Sequence, residues 1–396
     1  MLLVIMDKVF AKFIENKLKN ITWGSIKVNF NNQIEKIFEG KIKGLNSDII
    51  INDSSLYKDI LFKGELGFAE GYINNKWKTN NLGNLLKVLL QNQKLNTYTI
   101  KQSFFNNILE KIKFFLKKNS ISQAKKNITF HYDLGNDFYS KWLDETMTYS
   151  SALYKNDINS LKTAQINKYQ NIIDNLEIAE ADAICEIGTG WGGFAGEINK
   201  KFPNINYNGY TISNKQLEFI NNKFQNNSKN FNFHFLDYRD IKKTFNKIIS
   251  IEMFEAVGEK YWDIYFKKIS DSLVDSGKVC LQIITINENS FSNYINNVDF
   301  IQKYIFPGGV LPTKSILENL FKKHNLKLYQ QEDFGQDYSK TLMEWKKNFN
   351  NNWDQIENTK FDKKFKNIWN YYFDYCETGF SLKHTDVSQF YLKKVA

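Results

Sequence analysis

Long apolar runs are missing from this chain of 396 residues. The longest, such as Met1–Met6, fall far short of the ~20 residues that span a bilayer as a helix. Met1–Met6 is also too short for the apolar region of a signal peptide, and Asp7 follows at once. A cytoplasmic location is therefore expected. Cysteine is scarce. Cys185, Cys280 and Cys376 lie far apart with no C-x-x-C pair, which argues against a disulfide framework or a zinc ribbon. The histidines His131, His234, His324 and His384 are equally dispersed, so no metal site is expected. With only 3 proline and 20 glycine residues, low-complexity linkers are not expected either. Arginine is almost absent: Arg239 is the single one.

What is present describes a folded protein. Apolar residues make up 42%, aromatics 16% and charged residues 24%, enough for a large core. At roughly 150 residues per domain, the length suggests two to three domains. The net charge of +10 favours acidic partners: nucleic acid, an anionic membrane surface or phosphorylated substrates. The chain is also crowded with Asn, Lys, Ile and Phe, so compositional bias accounts for the lysines equally well. No module of interleaved basic and aromatic residues is found, and nucleic acid is not an expected partner.

Three regions are expected. Residues 1–100 read as a small N-terminal α+β domain, with a helical pattern at Leu82, Leu85, Leu86, Leu89 and Leu90. Residues 101–127 combine a basic amphipathic helix with a polar linker. In that helix Phe104, Phe105, Ile108, Ile112, Phe115 and Leu116 share a face flanked by lysines. It reads either as a helix lying on an anionic membrane or as an interdomain helix packed on the core. Residues 128–396 form the third region. From about residue 180 strands and helices alternate: strands at 183–188, 205–212, 231–237, 247–252 and 278–286, helices at 191–202, 214–224 and 261–274. Such alternation predicts a doubly wound, mostly parallel α/β sheet, with ligands beyond the carboxyl ends of its strands.

Three motifs stand at those ends. Glu186-Ile-Gly-Thr-Gly-Trp-Gly-Gly193 matches G-x-G-x-x-G through Gly188, Gly190 and Gly193. No acidic residue follows about 20 positions on, where a nicotinamide ribose would need one. Glu186 would suit a cofactor carrying a sulfonium and an amino group. S-adenosylmethionine (SAM) therefore fits better than NAD. Thr211 and Gln216 follow the second strand and offer hydrogen bonds to ribose hydroxyls, while Ser213 reads as a helix N-cap. Asp237-Tyr238-Arg239 follows the third, and Asp237 could accept from an adenine amino group. Arg239 supplies a rigid planar fork that lysine cannot imitate.

The stretch from His131 to Tyr154, containing Tyr149, Ser150 and Ser151, resembles the cyclopropane-fatty-acyl-phospholipid synthase family. Ser250–Gly258, Phe300–Thr313, Asp333–Leu342 and Tyr371–Phe380 agree with it in order, over roughly 60–396. The resemblance implies a seven-stranded SAM-methyltransferase sheet with a smaller lipid-engaging N-terminal domain. It implies methylene transfer from SAM to the cis double bond of an unsaturated phospholipid acyl chain, by an enzyme peripheral to the inner membrane surface. A homodimer is among the states it allows. Carried over by position, Tyr149 and Ser150 close over SAM. Gly188, Gly190 and Trp191 line its methionine part, Thr211 and Gln216 meet the ribose, and Asp237, Tyr238 and Arg239 lie on the adenine side. His131 and Tyr132 read as a structural pair, with a place in the acyl tunnel as the alternative for Tyr132.

In that family a bound bicarbonate is thought to remove the proton, held by a Cys, a Glu, a His, a Tyr and a backbone group. Here Glu255 and Tyr338 stand at the Glu and Tyr positions, and Ile284 at the backbone one. Ser151 replaces the Cys and Gln282 the His. The lost titratable group argues against bicarbonate and gives Glu255 more weight as the base. It also opens an alternative product, a methylene-branched chain, if the cation is deprotonated elsewhere. A non-catalytic lipid-binding protein is a further alternative, against which intact Gly188, Gly190, Glu255 and Tyr338 argue.

Overall fold

A computed structural model describes residues 11–30, 34–95, 134–155, 160–225, 230–358 and 361–395. The basic helix expected at 101–118, His131 and Tyr132 lie outside the described residues. The chain divides into two compact units.

The first unit comprises Met1–Leu116, Asn297–Ile305 and Glu357–Leu382. Its sheet has the order β2-β1-β3-β4, built from β1 (Trp23–Phe30), β2 (Ile34–Glu39), β3 (Ile42–Ile51) and β4 (Trp77–Lys78). Alternation sets its faces: Ile26, Val28, Ile49 and Ile51 are buried, while Lys27 between them is exposed. The leucine pattern forms the helix Leu82–Leu95, with Leu82, Leu85 and Leu86 buried. The aromatic run Trp369–Tyr375 lies in the helix Lys363–Ser381, where Trp369, Tyr371, Tyr372 and Phe373 are buried. Lys87 ties these two helices together through Glu377 at 2.7 Å.

The second unit comprises Lys117–Asn296, Phe306–Ile356 and Lys383–Ala396. Its seven strands are β5 (Ala183–Ile187), β6 (Asn206–Thr211), β7 (Phe231–Phe235), β8 (Phe245–Ile251), β9 (Leu273–Ile286), β10 (Leu326–Asp333) and β11 (Thr385–Lys394). Their order is β10-β11-β9-β8-β5-β6-β7. The pairs β5–β6, β5–β8, β6–β7 and β8–β9 are parallel, and β11 runs antiparallel between β9 and β10. This is the SAM-methyltransferase sheet. Five of its strands match the expected ones. The largest shift in boundaries is at β9: the helix expected to reach 274 ends at Asp271 and the strand expected from 278 starts at Leu273, which already pairs with Phe245.

Both faces of this sheet are buried, as parallel sheets require. Ile184, Tyr207, Ile249 and Tyr391 pack on Ile172, Phe194 and Ile220 from the helices Leu161–Asn175, Gly193–Lys201 and Asn214–Phe224. Cys185, Ile248, Leu281 and Phe390 pack on Phe266, Leu317 and Phe321 from the helices Trp262–Asp271 and Lys314–Lys323. The connections leave β5 in opposite directions, toward β6 and toward β8. That reversal opens a crevice beyond the carboxyl ends of the strands.

Candidate active site

The glycine loop leaves β5 under tight constraint. The N–H groups of Gly188 and Thr189 both donate to the Tyr210 carbonyl at the end of β6. Gly188 and Gly190 have φ of 85° and 58°, which only glycine adopts without strain. A Cβ at Gly190 would meet nothing within 4 Å, so the backbone there faces open space. Trp191 is anchored by its ring N–H on Asn136 at 2.8 Å. Beside it, Thr211 donates to Gln216 at 2.9 Å, while the Ser213 hydroxyl caps the 214–224 helix by accepting from the Gln216 N–H. Beyond β7, Arg239 closes on Asp237 with Nε at 2.8 Å and Nη2 at 2.7 Å. Its guanidinium lies over the rings of Tyr238 and Tyr261, each 5.4 Å away. The loop and the two strand ends fit a nucleoside-bearing cofactor: open backbone, then hydroxyl and amide, then an oriented carboxylate.

One of the expected cofactor residues, Tyr238, is turned into the core, its ring edge-on to Tyr265 at 5.2 Å. Glu186 is 3% exposed and accepts from the Tyr207 hydroxyl. Burial pushes its carboxyl up to about 8, against hydrogen bonds from Tyr207 and Thr189.

Next to the cofactor loop lies an aromatic nest. The Tyr149 ring stands 5.5 Å from Tyr139, 5.3 Å from Trp142 and 5.3 Å from Trp345. Tyr139 in turn meets Trp191 at 4.9 Å, and Trp345 meets Tyr338 at 6.0 Å. Their faces can stabilise a cation and exclude water.

Three of the four residues named as catalytic, Ser151, Gln282 and Tyr338, meet at a carboxylate of the chain itself. Glu252 directly follows β8 and has a φ of 48°, rare for a side chain of its kind. Its Oε1 accepts from the Ser151 backbone N–H at 2.8 Å and from Gln282 Nε2 at 2.7 Å. Its Oε2 accepts from the Tyr338 hydroxyl at 2.6 Å. The Ser151 hydroxyl is turned away, onto the Ala152 carbonyl. Glu255 stands one turn on and accepts from the Ile284 N–H with Oε1. Its Oε2 is buried with no hydrogen-bond partner among the described residues.

Burial raises both carboxyls, and the two are opposed unequally. Glu252 is favoured as an anion by Tyr338, by the Lys168 ammonium and by the Ser151 and Gln282 donors. Glu255 is pushed up to about 8 by burial and by the charge of Glu252. Glu255 is thereby held toward its neutral form, while the donors around Glu252 favour its anion. Lys168, fully buried on the 161–175 helix, donates to the Ser150 hydroxyl at 2.6 Å and to Gln165 Oε1 at 2.7 Å. Burial lowers it to about 7 while Glu252 works to keep it charged.

The sheet and the glycine loop agree with one family. The model described as mycolic acid cyclopropane synthetase matches residues 119–390. The chain belongs to that family. Cyclopropane-fatty-acyl-phospholipid synthase of Escherichia coli K12 is 30% identical over 352 residues, 87% of each chain. Tuberculostearic acid methyltransferase UfaA1 of Mycobacterium tuberculosis is 29% identical over 338 residues, 83% of this chain and 79% of that one. The crystal structure of mycolic acid cyclopropane synthase CmaA1 complexed with SAH and CTAB superimposes with a TM-score of 0.63 at 25% identity. That match covers 68% of this chain and 98% of the other. As a mycolic acid cyclopropane synthetase family member, the chain is a SAM-dependent methyltransferase that modifies lipids.

Two site residues were not read from this family member's sequence. Glu252 lies three positions before Glu255 at a strand end, a spacing that could have flagged it. Lys168 falls on the apolar face of its helix, between Ala164 and Ile172, where a lysine calls for a partner.

Proposed function

We propose that the protein transfers the methyl carbon of SAM to the cis double bond of an unsaturated phospholipid acyl chain, and that Glu252 accepts the proton that leaves. The observation that carries this reading is the Glu252 carboxylate held by Ser151, Gln282 and Tyr338, where the resemblance calls for a bound bicarbonate. SAM, when bound, supplies an electrophilic methyl group. Gly188, Gly190 and Trp191 line its methionine part, and Tyr149 and Ser150 close over it. Thr211 and Gln216 hold the ribose, and Asp237, kept in place by Arg239, meets the adenine side.

An alkene is a weak nucleophile, so it must be held dry and in line. Tyr149, packed on the buried rings of Tyr139, Trp142 and Trp345, gives that surface and stabilises the positive charge that develops on the neighbouring carbon. The alkene π pair would form the new C–C bond to the methyl carbon as the sulfur–methyl bond breaks, its electron pair leaving with the sulfur of S-adenosylhomocysteine. Glu252 then takes a proton from the added methyl, and the freed C–H pair closes a cyclopropane. Glu255, neutral below about pH 8, keeps a second negative charge out of the cradle.

A second product has its own support. Ser151 and Gln282 depart from the bicarbonate-holding pattern, and a tuberculostearic acid methyltransferase is among the relatives. If hydride moves from the methylated carbon to the cation first, the same proton loss leaves an exomethylene branch. Membrane contact at the lipid surface, through the N-terminal residues 1–100 and the net positive charge, belongs to this proposal.

The test is labelled SAM with liposomes of a cis-unsaturated phospholipid, read by proton NMR. Cyclopropane protons establish ring closure, exomethylene protons the branched product. Unchanged lipid in the presence of bound SAM overturns both and leaves a lipid-binding protein. Glu252→Gln should lower transfer by about 10²–10⁴-fold while SAM still binds.

A further inference from the structure

Behind Glu252 the buried polar side chains of the second unit form one directed series. Gln282 gives its NH2 to Glu252 and accepts on Oε1 from Gln389 Nε2 at 3.0 Å. Gln389 accepts on Oε1 from Asn171 Nδ2 at 2.9 Å and from the Tyr391 hydroxyl at 2.6 Å. Asn171 accepts on Oδ1 from the Lys155 ammonium at 2.6 Å. Its second amide hydrogen meets Glu332 on β10. Every amide thus points its NH2 from the Lys155 end toward the Glu252 end. Gln282 and Gln389 are both 0% exposed, so water cannot replace either partner.

An amide side chain has nearly the same shape when its oxygen and nitrogen trade places. Only its neighbours decide which end faces where. Reversed, Gln282 would set a carbonyl oxygen against the Glu252 carboxylate, two acceptors in a buried place. Gln389 prevents this. It sits directly opposite Gln282 in the β11–β9 register and points to the same face of the sheet. Its own direction is fixed by Asn171 and Tyr391.

We propose that Gln389 is a positioning residue of the transfer reaction, fixing which end of the Gln282 amide faces Glu252 and so keeping that carboxylate ready to accept a proton. This rests on the reading of Glu252 as the base. Other groups face Glu252 too: Tyr338 from the Gly335–Asn351 helix, Lys168 from the 161–175 helix, and Glu255 from its own turn. None of them restrains the Gln282 amide. Each oriented dipole in the series favours the anion at its end.

The test is Gln389→Met, which keeps the volume and removes the donor. SAM affinity should stay within about twofold, since Gln389 touches no cofactor residue, and kcat should fall about tenfold. The acid limb of the kcat–pH profile should move up by ~1 pH unit, because a carboxyl deprived of a favouring dipole holds its proton longer. A profile and kcat that coincide with the parent overturn the proposal. If Gln389→Met does not fold, Gln389→Glu serves. Its ionised carboxylate would draw the Gln282 NH2 to itself, so kcat should fall as pH rises, and an unchanged profile overturns the proposal. Glu252→Gln is run in parallel. Full activity in that variant sinks the reading of Glu252, whatever Gln389 does; an inactive Glu252→Gln beside a parent-like Gln389→Met sinks only the inference about Gln389. Infrared titration of the Glu252 carboxylate, taken as the difference from Glu252→Gln, needs no substrate. A higher midpoint in Gln389→Met is expected, and coincident titrations overturn the proposal.

Discussion

At the scale of single residues, charge burial explains most of the site. On the proposed reading Glu252 stands in for a diffusible anion, and it does so at a φ of 48° that glycine would adopt freely. Glu252→Gly should therefore fold, lose transfer, and recover part of it when bicarbonate is added. The parent's rate should not respond to bicarbonate. A parent that slows in CO₂-depleted buffer would contradict the tethered base. Arg239 grips Asp237 at two points. Arg239→Lys keeps a charge but loses the two-point grip, and SAM affinity should fall several-fold. An unchanged affinity would mean that Asp237 holds its place unaided. Glu186 makes a third case. Its carboxyl stands near 8 before any cation is bound, so a SAM amino group beside it should draw it down. SAM binding at pH 7 should then release protons, seen as a calorimetric heat that changes with the buffer's ionisation enthalpy. Glu186→Gln should abolish that difference.

At the scale of elements, each strand end delivers one function and the following helix start fixes it. The 214–224 helix shows the coupling: Ser213 caps it, and the same turn holds Thr211 against Gln216. Ser213→Ala should cost about 1 kcal/mol of stability, the usual worth of such a cap. SAM affinity should drop with it, because Gln216 loses its tether. A lower melting temperature with unchanged SAM affinity would separate cap from cofactor. The 161–175 helix carries a different pattern. Gln165, Lys168 and Asn171 repeat every three residues and are all buried, so a polar seam runs inside an otherwise apolar face. That seam supports Ser150 at one point and the amide series at another.

At the scale of the molecule, the buried carboxyls set the response to pH. Burial lifts Glu186 and Glu255 from 4.5 to about 8. Between about pH 4.5 and 7 the folded state keeps protons that the unfolded chain has released, so stability falls as pH rises. Lys168, lowered by burial to about 7, works in the other direction only above that point. Surface carboxylates such as Glu177 beside Lys278 and Asp263 beside Lys323 are held low, and their contribution is lost on acidification. A melting-temperature maximum near the unperturbed carboxyl range is expected, and Glu255→Gln should melt higher than the parent at pH 7. A parent flat from pH 5 to 7 would show that Glu255 is not protonated. The net charge of +10 gives a second expectation. Binding to anionic vesicles should weaken as salt rises, and vanish near 1 M, where screening acts over about 3 Å. Salt-independent binding would point to an apolar contact instead.

The sequence by itself determined the strand–helix alternation, the glycine loop, the cofactor type and the family. Those features depend on local periodicity and on residue types at fixed spacing. The resemblance to the family, carried over position by position, put Ser151, Gln282, Glu255 and Tyr338 in one neighbourhood. Which carboxylate they surround was decided by the tertiary structure. Glu252 and Glu255 are three residues apart in a short turn, and only the path of the chain after β8 aims one at Tyr338 and the other at Ile284. Gln389 was beyond sequence reasoning for a similar reason. Its importance comes from facing Gln282 across β11 and β9, and register is a property of two strands, 107 residues apart here, that neither strand contains alone.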